Sequence, residues 1–262
     1  MKHQKKILLA LSLFLSTSAF NIAYSADLTR QQVEQLLKQA SPNKPADLRR
    51  KDLKGVDLSN MDLRKADLWG ADLRGANLSK SNLSGLVLDL TVMTGINLSG
   101  ADLTKVSIFG VSMMRSDLSN TNFSGSRVIA NLDNSNMTNA NLSNVSWAAD
   151  MKNQPMGLMR VNLNKVNLTN ANLQNADLGR ASMRFANLTN ANLANASLLS
   201  AELTSANFTN TNLSKVDFTS AKLREANFTN ATLNGATFKA IQGQDSTRGL
   251  NNNKTKNAAK FD

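Results

Sequence analysis

The chain has 262 residues, 41% hydrophobic but only 5% aromatic, with 30 basic against 19 acidic side chains and a net charge of +11. It contains no cysteine and a single histidine, His3. Disulfide frameworks, thiol nucleophiles, Cys-zinc sites and haem attachment are therefore excluded, and Ser-His-Asp, Cys-His and His-ligated metal chemistry go too once His3 is removed. Carboxylate pairs, Ser-Lys pairs and plain binding remain, with no cofactor or metal implied.

In chain order, Lys2, Lys5 and Lys6 precede an apolar run over residues 7–15 broken only by Ser12, and Ala23 and Ser25 stand at the −3 and −1 positions of a cleavage site. Residues 1–25 thus read as a secretory signal peptide, since the apolar run is far shorter than the ~20 residues that span a bilayer. The product is expected in the periplasm or outside the cell after cleavage near Ser25, and without a cysteine there it takes no lipid anchor. Cleavage removes three lysines and no acid, so the mature chain stays basic.

Residues 26–45 predict a capping helix and linker. Thr29 and Gln32 have capping-box spacing, Val33, Leu36, Leu37 and Ala40 recur on one helical face, and Pro42 stops the run. A membrane-lying helix fits less well, because only Arg30 and Lys38 are cationic.

From Leu48 onward one period dominates. A large apolar residue returns at every fifth position, through Leu53, Leu58 and Leu63 to Leu118, Phe123 and Val128, giving a first run of 17 units over residues 46–131. Two positions before each centre sits a small or β-branched residue such as Ala66, Ala71 or Val106; one before sits Asp or Asn; the two after are mostly small, polar or basic. Leu132, Met137, Leu142 and Trp147 follow in a shifted phase over residues 132–157, and a second 17-unit run occupies residues 158–242, from Leu158 to Phe238. Five is neither a helical nor a strand period.

This pattern resembles the pentapeptide-repeat family, whose consensus is A(D/N)LXX, and the resemblance covers nearly all of residues 46–240. It implies an all-β solenoid, a right-handed quadrilateral β-helix in which each pentapeptide forms one side of a square and four form a coil. Packing agrees independently: two inward positions in five leave a narrow core that only Ala, Ser, Thr or Val beside a Leu or Phe can fill, and Asp or Asn suits the turns. Coils stacked at strand spacing would make a rod of roughly 45 Å. Open ends demand caps; Ala240 and Ile241 are expected to close the last coil, leaving residues 243–262 as a polar, disordered tail.

Val128 to Leu132 is a step of four and Trp147 to Leu158 one of eleven, so a bend or bulge is expected, with residues 148–157, containing Pro155, as an extruded loop. Loops that interrupt this fold in its gyrase-protecting members are functional, which makes a functional loop and a tolerated insertion equal readings here. Positions 20 apart should share a face. Thr169, Thr189, Thr209 and Thr229 then form an outward ladder beside Asn167, Asn187, Asn207 and Asn227. Threonine ladders resemble the surface of β-helical antifreeze proteins, so ice binding is a minor alternative to simple column stacking. Asp47 with Asp67 and Asp52 with Asp72 stack at a separation that overlaps a retaining glycosidase pair, yet Arg49, Lys54 and Arg74 beside them favour structural acids. Aromatic centres should stack, Phe208 on Phe228 and Phe218 on Phe238.

The exterior of the first run carries an anomaly. After the centres Leu68, Leu88, Ile108 and Val128 come Trp69, Asp89, Phe109 and Ile129; Val87 and Leu90 replace polar residues on the same wall, and Val92 and Met114 do so around the corner. A contiguous apolar patch marks either a binding surface, with Trp69 and Phe109 as anchors, or a face covered by the helix or loop. The reading is a non-enzymatic exported scaffold presenting flat faces and the central loop to a protein or an anionic envelope polymer; the alternative is a polysaccharide-binding or carbohydrate-active envelope protein. DNA mimicry of the gyrase substrate, the family's best-known activity, fits badly with a basic, exported chain. By resemblance only, a homodimer through the C-terminal coils is an option.

Overall fold

The computed structural model describes residues 26–149, 159–250 and 260–261. The signal-peptide segment, most of the central loop and Leu158 lie outside these residues.

Each five-residue unit has one local logic. In the unit centred on Leu168, Val166 and Leu168 point inward and are buried. The carbonyl of Leu168 accepts the N–H of Ala171 at 3.0 Å, and Asn170 between them has φ 59°. That is a β-turn with a left-handed third residue, the type II pattern, which explains the Asn, Gly, Ser or Lys found there. The Asn167 side chain meanwhile accepts the Thr169 N–H at 3.1 Å, an Asx turn that fixes Asp or Asn before the centre. The residue before the centre bridges neighbouring coils as single-residue rungs, Asp52, Asp72, Val92 and Ser112 in one column and Asn187, Asn207 and Asn227 in another, and the corner N–H adds a further bond between coils, as from Asn170 to the Thr189 carbonyl at 3.0 Å. Four such columns, starting at Asp47, Asp52, Asp57 and Asp62, define walls one to four of a square solenoid.

The centres fill the interior. Burying each Leu contributes roughly 2 kcal/mol, against at most about 1 kcal/mol for an exposed ion pair such as Arg49–Asp47; the stack rests on its core. Phe208 lies on Phe228 at 5.0 Å and Phe218 on Phe238 at 4.8 Å, the rings of each pair nearly parallel, with edge contacts between the pairs. Phe123 and Trp147 meet edge-on, and the Trp147 indole donates to buried Ser126.

At the N-terminal end, helix α1 (Arg30–Gln39) is capped by Thr29 and Gln32. It buries Val33, sets Leu36 and Leu37 against the core, and lays Arg30 on the carbonyls of Asp57 and Ser59. Asp27 exchanges hydrogen bonds with the Asp52 backbone. Two-residue strands β1 (Ala46–Asp47) and β2 (Ala66–Asp67) open wall one.

The break resolves as a bulge. Strands β3 (Ser107–Ser112) and β4 (Arg127–Asn131) pair in parallel until Gly110, after which Val111 faces Ala130. The four-residue unit has lost its left-handed corner residue, so β4 runs extended through the corner. Columns are consequently offset by 19 residues into this coil and by 31 out of it, as between Asn120, Asn139 and Asn170. Asn162 stacks on Asn131, which makes Leu163 the first stacked centre among the described residues after the insertion.

Residues 243–250 and 260–261 correct the expectation of a disordered tail, the remainder of which lies outside the described residues. Gly243 opens a 3-10 turn (Gln244–Ser246), Arg248 pairs with Asn227, and Leu250 is wholly buried in the core. Gly249, at φ 76°, lies so close to Phe228 and Thr229 that a Cβ would sit 2.9 Å from their backbone. Strand β5 (Thr237–Phe238) then accepts β6 (Lys260–Phe261). Unpaired rungs of the last coil bind this polar stretch through its backbone, which its composition does not reveal. The end of the stack on which a homodimer is an option by resemblance thus carries the chain's own residues.

Candidate functional site

The apolar exterior of the first run is real in its centre and altered at its edge. Val87 is 55% exposed, Leu90 52%, Val92 37% and Phe109 39%. Trp69 and Met114 are half-buried. Trp69 lies under the Arg50 guanidinium, 4.9 Å from the ring centroid, and Asp47, Arg49 and Arg50 share its recess. Helix α1 caps the end of the stack and does not cover these residues.

Ile129 is corrected: it is only 3% exposed. Without the corner turn it lies in the extended β4, flanked by Phe109 in register and by Met159 and Arg160, where the chain rejoins the stack. A residue that sequence reasoning missed extends the wall. Leu199, 42% exposed, follows the centre Leu198. The rungs Ser107–Arg127, Ser146–Asp177 and Asp177–Ser197, joined by the Ser146–Ser126 hydrogen bond, place that centre on wall one. Counting in twenties hides this, because the offsets of 19 and 31 intervene. Phe185, 56% exposed, stands alone at the corner beyond wall two.

Backbone geometry adds a second signal. Leu90 and Phe185 occupy left-handed corners, φ 61° and 59°, where Asn or Gly is easier by about 1 kcal/mol. Large apolar side chains at strained, solvated positions do nothing for the fold. Val87 cannot accept the Asp89 N–H in an Asx turn, and the Phe109 N–H, two residues after Ser107, donates instead to the Asp89 carboxylate of the preceding coil at 2.9 Å.

The Thr ladder is present but inward-looking. Each hydroxyl of Thr169, Thr189 and Thr209 donates to its own Asn at 2.6 Å and accepts from the Asn of the next coil at 3.0 Å, and Thr229 donates likewise. Thr138 joins the column through Asn136 and Asn167. A hydroxyl has one proton, and here it is spent within the column rather than offered to an ice lattice.

Three of the stacked aspartates, Asp47, Asp52 and Asp72, are held ionised by the cations beside them. The Arg49 side chain and backbone hold Asp47 at about 2, and hydrogen bonds from Lys54, Arg64 and Arg74 lower Asp52, Asp62 and Asp72. A general acid needs the opposite shift. Among the described residues no group of metal-binding side chains occurs and no helix is long and apolar enough to cross a membrane.

Comparison with known proteins accords with this geometry. The family model described as Pentapeptide repeats matches in eight copies, over residues 52–88, 71–108, 96–128, 162–199 and 201–239. Among solved structures, HetL, a pentapeptide repeat protein involved in heterocyst differentiation regulation from the cyanobacterium Nostoc sp. strain PCC 7120, is 30% identical over 82% of this chain and 94% of its own, with a TM-score of 0.40. QnrB1, a plasmid-mediated fluoroquinolone resistance protein, is 14% identical over 79% and 94%, with a TM-score of 0.45. The Nostoc pentapeptide repeat protein alr5209 is 25% identical over 48% and 84%, with a TM-score of 0.24. Comparison with curated protein sequences yields no match. Repeat, turn chemistry and family match converge: this chain belongs to the pentapeptide-repeat family, whose known structures are right-handed quadrilateral β-helices.

Proposed function

We propose that the protein is an exported, non-enzymatic scaffold that presents wall one and its corner to a protein partner. The observation that carries this reading is the continuous exposure of Val87, Leu90, Val92 and Phe109, with Trp69 below and Leu199 above on the same wall. Soluble proteins seldom retain such a surface without a use, and a flat apolar strip edged by Arg50 has the make-up of an interface core with a polar rim. Export rests on residues 1–25 alone. A regulatory role for the 30% identical HetL is compatible with binding rather than catalysis.

The test joins capture to stability. Trp69→Ser/Phe109→Ser should lose a partner that photo-crosslinks to position 90 in the native envelope, while circular dichroism and melting temperature stay at wild-type values. Capture that survives the double substitution would sink the proposal. Fractionation of a tagged full chain tests export separately.

A further inference from the structure

Across the molecule, cations and carboxylates are paired in two different ways. In the first coils four cations each lie on the aspartate two residues before them, Arg49 on Asp47, Lys54 on Asp52, Arg64 on Asp62 and Arg74 on Asp72, with longer contacts from Arg49 to Asp67 and from Lys54 to Asp72. At the corner between walls one and two in the second run, Arg160, Arg184 and Lys222 all converge on Glu202. Glu202 is nearly buried, its side chain 11% exposed. Burial works against its ionisation, but hydrogen bonds from Arg160 and Arg184 prevail and hold the carboxyl below its ordinary range. Exposed Arg180 lines the same cavity and forms no ion pair among the described residues. Three cations therefore contact one carboxylate, and a fourth lines the same cavity.

The cavity measures about 440 Å³ and is lined also by Ser200, Ser220, Gln242 and Ala149, a size in the range of small-ligand sites. Coil stacking fixes the arrangement. Ser182, Glu202, Lys222 and Gln242 form consecutive rungs of wall two, and Arg180, Ser200 and Ser220 form the facing corner column, joined to the coil above by backbone bonds of 2.7–2.8 Å. The Ser200 and Ser220 hydroxyls make no side-chain hydrogen bond among the described residues. Unsatisfied positive charge beside free hydroxyl donors on a rigid frame is the chemistry of an anion site.

We propose that this corner binds an oxyanion, a carboxylate or phosphate group, with Arg180 and Lys222 as charged contacts and Ser200 and Ser220 as neutral donors. Glu202 orients Arg160 and Arg184 and, as a fixed competing anion, limits the affinity.

Calorimetric titration of the full chain at low ionic strength with inorganic phosphate, galacturonate and trigalacturonate tests this. Binding should fall about five-fold in Arg180→Gln and at least about ten-fold in Arg180→Gln/Lys222→Gln, and tighten several-fold in Glu202→Gln. Tighter binding of trigalacturonate than of galacturonate would identify a chain-borne acid as the ligand; equal binding would identify a lone oxyanion. Absence of binding by all three probes, or binding indifferent to the double substitution, overturns the proposal. So does weaker binding by a Glu202→Gln protein whose circular dichroism is unchanged. If that variant fails to fold, the exposed Arg180→Gln alone decides.

Discussion

The two runs share a core and differ in what they do with the outside. In the second run the exterior feeds back into the fold: Asn167, Asn187, Asn207 and Asn227 bond to Thr hydroxyls and to one another, and Asn170, Asn190, Asn210 and Asn230 form a second column at the corner. On wall one of the first run the equivalent positions of the repeat hold Val87, Leu90 and Phe109, whose side chains make no hydrogen bonds. Wall three of the second run spends its surface on cohesion, and wall one of the first leaves it available. Since both use the same interior, the outer residues are free to vary without threatening the stack.

Several substitutions would break or sharpen that contrast. The largest effect should come from the core and be equal in both runs. Leu73→Asp and Leu188→Asp each bury an unpaired carboxylate at a cost of several kcal/mol, visible as lost β-signal and new protease sites; wild-type behaviour from either would refute the shared interior. Next is the C-terminal closure. Leu250→Ala should cost about 2–5 kcal/mol in thermal unfolding, and removing residues 243–262 should cost at least as much; an unchanged melting temperature would show that the tail does not close the stack.

Smaller effects should then divide the runs. Asn207→Ala interrupts a ladder and should lose about 1 kcal/mol per hydrogen bond in urea unfolding, whereas Leu90→Asn, which relieves a left-handed Leu, should be neutral or stabilising. The reverse order would place cohesion on the wrong run. The smallest effect is electrostatic and belongs to the first coils. Asp47, Asp52, Asp62 and Asp72 have folded values lowered by their neighbouring cations. Their contribution is complete above the ordinary carboxylate value of about 4 and fades as pH falls through the lowered values, toward 2 for Asp47. Because the pairs are exposed, the melting temperature should decline only shallowly below pH 4. Arg49→Gln/Arg74→Gln should flatten that decline; an unaltered profile would deny these pairs any role.

How much of this was legible in the sequence follows from how local each feature is. Period, inward positions, the Thr29–Gln32 cap and the aromatic pairs Phe208–Phe228 and Phe218–Phe238 depend on residues within a unit or a coil, so spacing reveals them. Leu199 as part of wall one was hidden, because face membership is counted in corners and the lost corner after Ile129 plus the insertion shift every later residue. Ile129 was misread for the same reason: a missing turn residue turns an outward position into part of a covered strand. The docking of Arg248 and Leu250 escaped because it uses backbone rungs and one apolar residue in a polar stretch. Glu202 was invisible as a hub, since Arg160, Arg184 and Lys222 meet it only through stacking.

The closures at the two ends also limit growth. A stack of parallel rungs is a template at its last coil, just as a fibril tip is, and identical columns of Asn would welcome another copy as readily as another coil. Asp27 and Arg30 at one end, and Arg248 with Lys260 at the other, occupy backbone groups that an added chain would otherwise claim. The molecule is in this sense a polymer with both ends terminated, and its concentration tolerance should depend on a few residues outside the repeat rather than on the repeat itself.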